Sequence, residues 1–369
     1  MKVSDAEERC DVILDRMSYY TDALQSKELE PDRVVYNAVL NALAKSKQPE
    51  VITKVEDILT MMESSPNDLL RPDIVTYATV IDCFTKCGDK NMSSQRADEL
   101  LRFVEGTYRG GDEMLKPNFF FYSAILQAWA KTGKEENCRK AENLLQRNID
   151  LYAQGHDYAK PHTIVFNAVM DALARSNMVG ASSRAEQLLE ELESLYQLGD
   201  DDMRPSKRSY NALILAYRNE GRASGKAEEL LTRMEKMSAS GRSELKPDVV
   251  SYNNVIAAIV EDNDSENTAD RAQALLDRME ALGIQPDGRT YSPVIEAWLR
   301  RNDEKGHALA DVMLTQFLNN VEASKKQNLG AKEDSLYEDA VWNMINTYRE
   351  NSDNDFYSQL ASRGWISGG

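Results

Sequence analysis

Cysteine and histidine are nearly missing from this chain, which has four of the one and three of the other in 369 residues. Cys10, Cys83, Cys87 and Cys138 are too few and too scattered for a disulfide framework, so a reducing interior is expected. Cys83 and Cys87 stand four apart, on one face of a helix, but no second pair completes a metal site, and small buried side chains are the expected reading. His156, His162 and His307 are not grouped with carboxylates at ligand spacing, so no metal and no cofactor are expected. Positive charge is in deficit too: 44 basic against 61 acidic residues leave a formal charge of -17. That balance argues against a polyanionic partner unless basic side chains are concentrated in one place. No apolar run approaches the roughly 20 residues that a bilayer-crossing helix needs, so no membrane partner is expected. The first residues carry Asp5, Glu7 and Glu8, unlike an acid-poor, Arg-rich transit peptide.

What the chain has is a repeat. Seven prolines, Pro31, Pro72, Pro117, Pro161, Pro205, Pro247 and Pro286, each precede by five residues an aromatic: Tyr36, Tyr77, Tyr122, Phe166, Tyr210, Tyr252 and Tyr291. Successive prolines lie 41, 45, 44, 44, 42 and 39 residues apart. A period of this size marks stacked structural units rather than one globular core, and places function along a surface instead of in a pocket.

Each unit reads as a helical hairpin. In the first, Tyr36, Val39, Leu40 and Leu43 fall at i, i+3, i+4 and i+7, and Val55, Ile58, Leu59 and Met62 repeat those offsets after a polar turn at residues 45–49. The second helix has a signature of its own: a basic residue, a small or β-branched one, then two large aliphatics. It recurs from Lys54, Arg96, Lys140, Arg184, Lys226 and Arg271, with Ala97, Ala141, Ala185, Ala227 and Ala272 suited to close helix contact. The expected class is all-α, a solenoid of stacked helix-turn-helix units. Extra length falls in polar, Gly-containing stretches such as residues 110–113 and 199–202, so the first helices are expected to line the unencumbered face. Residues 9–17 match the second-helix pattern, so residues 1–32 read as a partial repeat and the chain as opening inside it. Seven repeats follow over residues 33–301. Residues 302–358 read as a degenerate repeat with capping helices, and 359–369 as a flexible tail. Trp129 and Trp298, at equivalent places in first helices, read as core.

These residues resemble the pentatricopeptide-repeat family. The segment from Val249 to Ile256, preceded by Pro247-Asp248 and followed by Arg271-Ala272 and Pro286-Asp287, is close to the family consensus, and the resemblance covers roughly residues 9–301. It implies a right-handed superhelical α-solenoid that reads single-stranded RNA one base per repeat. In that family the fifth residue of the first helix and the last of the repeat choose the base. The pairs here are Asn37 with Asp73, Ala78 with Asn118, Ser123 with His162, Asn167 with Ser206, Asn211 with Asp248, and Asn253 with Asp287, and Ser292 opens a seventh. By resemblance, Asn with Asp implies uracil and Asn with Ser cytosine, which gives U, two undefined places, C or U, U, U. The family's base-sandwiching position falls on Val34, Val75, Phe120, Ile164, Arg208, Val250 and Arg289. Eight residues beyond the base selector stand Lys45, Lys86, Lys131, Arg175 and Arg300, a positive stripe that would track a phosphate backbone, with Asn219 and Glu261 interrupting it.

Each of these has a plainer reading. Asp32, Asp73, Asp248 and Asp287 sit where a helix N-cap belongs, and the basic stripe stands near helix C-termini, where it complements the dipole. The resemblance further implies a mitochondrial or plastid setting, a role in RNA stability, processing, editing or translation, and other RNA-processing proteins as possible partners. A monomer is expected. No catalysis is expected: the chain has neither a His-x-Glu with Cys-x-x-Cys nor a carboxylate cluster after the repeats. The alternative is a protein-binding scaffold, since helical arrays also hold peptides and a charge of -17 suits a basic partner.

Overall fold

A computed structural model describes residues 3–24, 30–176, 178–221, 223–262, 267–301 and 303–326. Among them are fifteen α-helices and no strand. They are α1 (Val3–Leu24), α2 (Arg33–Ser46), α3 (Val51–Ser64), α4 (Ile74–Cys87), α5 (Lys90–Arg109), α6 (Phe119–Ala130), α7 (Glu135–Ala153) and α8 (Thr163–Arg175). After these come α9 (Ala181–Gln197), α10 (Lys207–Glu220), α11 (Ser224–Ala239), α12 (Val249–Glu261), α13 (Thr268–Ala281), α14 (Gly288–Arg300) and α15 (Glu304–Lys326). Two compact units, Met1–Ala216 and Tyr217–Gly369, divide within α10.

In the first unit, α2 packs on α4, α4 on α6 and α6 on α8, and α3, α5 and α7 each fill the groove between consecutive first helices. The second unit repeats this with α12 on α14 and with α13 between them, and α15 packs on α14. Burial follows the sequence periods. Leu40, Leu43, Val55 and Leu59 are buried, as are the aromatics Tyr77, Tyr122, Phe166, Tyr210, Tyr252 and Tyr291. Ala97, Ala141, Ala185, Ala227 and Ala272 have no exposed surface, so a larger side chain there would overpack the helix contact. All four cysteines are buried, and burial pushes the Cys83 thiol up to about 12 and that of Cys138 to about 11, which keeps both protonated.

Two features of this packing have no counterpart in the sequence reading. The buried tyrosines each donate to a glutamate of the preceding second helix: Tyr77 to Glu63 at 3.0 Å, Tyr122 to Glu105 at 3.2 Å, Tyr210 to Glu193 at 2.5 Å, Tyr291 to Glu280 at 3.0 Å, and Tyr252 to Glu235. Phe166 has no hydroxyl, and Ile149 stands 17 residues before it, where Tyr122, Tyr210 and Tyr252 have their glutamates. Secondly, the basic residue that opens five of the six second-helix signatures reaches a carboxylate one repeat earlier, while the sixth, Lys226, lies over the Tyr217 ring. Lys54 pairs with Asp11 at 2.7 Å, Arg96 with Glu56 at 2.9 Å, Lys140 with Asp98 at 2.9 Å, Arg184 with Glu142 at 3.0 Å and Arg271 with Glu228 at 2.8 Å.

The inserted stretches are more ordered than polar loops. Residues 113–115, 157–159, 201–203 and 243–245 each form one turn of 3-10 helix, entered through Gly111, Gly155, Gly199 or Gly241 at positive φ. Each turn buries one apolar side chain, Leu115, Ala159, Met203 or Leu245. At the other end, the stretch read as a degenerate repeat with capping helices opens with α15, a single helix of 23 residues. The rest of that stretch, from residue 327 on, and the tail lie outside the described residues.

Candidate nucleic-acid interface

Every repeat's last residue sets the entry of the next first helix. Asp73, Asp248 and Asp287 cap α4, α12 and α14 in reciprocal capping boxes with Thr76, Ser251 and Thr290, all three fully buried. Asn118 caps α6 by accepting from Phe121 N at 2.9 Å, and His162 caps α8 by accepting from Ile164 N at Nδ1, 3.2 Å away. The cap fixes the register, and the fifth helical residue then falls beside the next repeat's cap. Asn253 Nδ2 donates to Asp287 Oδ1 at 2.9 Å, while Thr290 Oγ1 donates to Asn253 Oδ1 at 2.6 Å. The amide is thereby oriented, with one N–H left to offer. Asn167 Nδ2 reaches Ser206 Oγ at 3.4 Å, and its Oδ1 is buried without a partner, as is that of Asn37.

The remaining pairs are arranged differently. Asp73 takes Arg33 Nε on its second oxygen at 3.0 Å. Ser123 is buried and accepts from Gln127 Nε2 at 2.9 Å, while His162 stacks on Phe119, ring centres 4.2 Å apart and planes 4° from parallel. Burial holds the His162 imidazole below its usual pKa, in the neutral form that its capping bond requires. Asn211 and Asp248 belong to different units.

Two grooves gather these side chains. In the first unit, Val75, Ala78, Asn118, Phe120, Ser123 and Ile164 line a space of about 500 Å³. In the second, Val250, Asn253, Asp287, Arg289, Ser292 and Arg300 line one of about 610 Å³. Six of the seven base-sandwiching positions are exposed although most are apolar, Val34 at 70%, Val75 at 51%, Phe120 at 60% and Val250 at 53%, while Ile164 is half-buried. Helices that bury their other large apolar residues thus present one of them to solvent at the same register. Arg208 at this register is held by Asp171 at 2.7 Å.

The basic stripe divides. Lys45 and Arg175 are exposed. Lys131 instead donates to the carbonyls of Thr85 and of Gly88, the latter at 3.2 Å, and Arg300 donates to the carbonyl of Val260 at 2.9 Å, so both tie off the end of the preceding first helix. A set of acids four residues beyond the base selectors also went unread: Asp82 pairs with Lys86 at 2.5 Å and Glu296 with Arg300 at 2.7 Å. Their i,i+4 spacing from the stripe was the available signal.

Residues 176–354 match a family model described as the pentacotripeptide-repeat region of PRORP. Among solved structures, the chain is similar to the pentatricopeptide repeat protein PPR10 in complex with an 18-nt psaJ RNA element, at 20% identity and a TM-score of 0.45, covering 90% of this chain and 45% of that one. A triple cysteine-to-serine form of the same complex gives the same values. PPR10 from maize matches at 18% identity and a TM-score of 0.39, over 95% of this chain and 56% of that one. The chain thus spans about half the length of the structures it is similar to. No curated protein matches it.

Proposed function

We propose that this chain, of which residues 176–354 match a pentatricopeptide-repeat model, works as a pentatricopeptide-repeat protein that binds single-stranded RNA along its first helices, one base per repeat, without acting as an enzyme. The observation that carries the reading is the oriented amide of Asn253, held by Asp287 and Thr290 in a groove that also contains Val250 and Arg289. Such an amide offers an N–H to a base carbonyl, as the edge of uracil requires, while the neighbouring apolar and guanidinium surfaces cover the base faces. Asn37 and Asn167 take the same role at their repeats, beside Asp73 and Ser206, and Asn211 stands at the same register of its own first helix. Ala78 with Asn118 and Ser123 with His162 occupy repeats where stacking on Phe120 outweighs edge recognition, and Ser292 opens the last.

The setting is a mitochondrion or plastid, and the role is protection, presentation or remodelling of a transcript segment, alone or with other RNA-processing proteins. A selection from random RNA should enrich U at the first repeat's place, then two loosely specified positions, C or U, U and U. Enrichment of an unrelated sequence would remove the base assignments. Retention of basic proteins with no RNA bound at moderate salt would replace the reading with a protein scaffold.

A further inference from the structure

The turn between α7 and α8 departs from its counterparts, and a cavity lies where it departs. Two equivalent turns use an aspartate as cap: Asp112 accepts from Met114 N and Asp200 from Asp202 N, each at 3.1 Å. Here the residue is His156, whose side chain makes no capping bond, as Arg242 makes none at residues 243–245. Two residues on, Tyr158 stands where the other turns have Met114, Asp202 and Glu244. At the end of α5, Arg109 stands where later second helices have Ala153, Gln197 and Ala239. The array's architecture is served without these three residues, so packing alone does not explain them.

They meet. Tyr158 lies 5.2 Å from Tyr108, ring centre to ring centre, crossing at 72°, and 5.7 Å from His156. With Arg109 and Arg147 these rings wall a cavity of about 300 Å³, the lower end of the range for small-molecule sites. Another wall holds Glu105, 7% exposed and the one charged residue buried among those described. Its carboxylate accepts from Tyr122 Oη at 3.2 Å, from Arg109 at 3.0 Å and from Arg147. One carboxylate therefore fixes two guanidinium groups, leaving one positive charge in excess and N–H groups on both for a second acceptor.

We propose that this cavity is a mononucleotide site, with a base against the rings of Tyr108, Tyr158 and His156 and a phosphate on Arg109 and Arg147. Aromatic side chains take any base by its face, and a pair of guanidinium groups matches phosphate geometry. The site shares no lining residue with either groove, so it stands apart from the proposed RNA path. The same chemistry is offered by a free nucleotide and by the phosphorylated end of an RNA strand.

The test uses the whole chain and UMP and AMP as probes, followed by calorimetry and saturation-transfer NMR. The double variant His156→Asp, Tyr158→Asp installs the residues of the equivalent turn at 200–202, so its unliganded melting temperature should hold or rise. The native chain should bind one nucleotide saturably, uridine without its phosphate at least tenfold more weakly, and the double variant should lose at least tenfold in affinity. A 5′-phosphorylated oligonucleotide that outcompetes its 5′-hydroxyl form, only in the native chain, assigns the site to strand ends; no such difference assigns it to free nucleotides. Absence of saturable binding by both nucleotides and the phosphorylated strand, or equal binding by the variant, overturns the proposal.

Discussion

At the scale of single residues, the aromatic of each repeat carries two duties that the sequence merges into one. Its ring fills the core, and its hydroxyl, where present, reaches a glutamate. Burial pushes the Tyr252 hydroxyl up to about 12, so it remains a donor at any physiological pH. Tyr252→Phe keeps the ring and should cost about 1.5–3 kcal/mol, the worth of a hydrogen bond to a charged group, read as a lower urea midpoint with an unchanged slope. His162 gives a pH-dependent counterpart. Its folded pKa is depressed, so the stability it contributes is present above the unfolded value of about 6.5 and is lost as pH falls through the folded value. Asp200 and Asp202 oppose that shift and Lys160 adds to it. His162→Asn caps without titrating, and the difference in melting temperature between the two proteins should change below pH 6.5 in favour of the asparagine. A flat difference from pH 7.5 to 5 would remove His162 as the titrating cap.

At the scale of helices, what was legible is what is periodic. Apolar residues at i, i+3, i+4 and i+7 gave the hairpins, and the recurrence of proline and aspartate gave the caps. The second helix's basic residue was visible, but its carboxylate lies about 40 residues earlier, a distance that no local period reports. The same holds for the carbonyl partners of Lys131 and Arg300, while the tyrosine–glutamate bonds cross 11 to 17 residues from one helix to the next, which no helical period reports either. A single apolar residue such as Leu115 or Met203 has no period at all, so the 3-10 turns read as loops. The small residues of the second helices were read from recurrence alone, and their burial makes the consequence testable. Ala141→Leu should cost about 1–3 kcal/mol through overpacking, whereas Gln146→Leu, on the exposed side of the same helix, should stay within about 0.5 kcal/mol. Equal costs would mean that α7 has room where it packs on α6 and α8.

At the scale of the whole molecule, the proposed function requires a chain of charge -17 to attract RNA. Five basic residues in register, each releasing counterions on a phosphate, would give a log-log salt slope for a single strand of about -3 to -4. The packing lowers that count. Lys131 and Arg300 donate to carbonyls, and Lys86 is paired with Asp82, which leaves Lys45 and Arg175 without a charged partner among the described residues. Two contacts correspond to a slope of about -1.4, so affinity should be modest and weakly salt-dependent, with stacking on Phe120 and its equivalents carrying more of it. Releasing the paired cations should reverse this. In Asp82→Asn, Glu296→Gln the carboxylates beside Lys86 and Arg300 become amides, and the slope should steepen by up to about 1.4 while affinity at low salt rises. Anisotropy titrations of one oligonucleotide from 50 to 300 mM salt measure both quantities. A native slope already near -3.5 would mean that the ion pairs open at no cost when RNA arrives, and an unchanged slope in the double variant would place the phosphates away from this register.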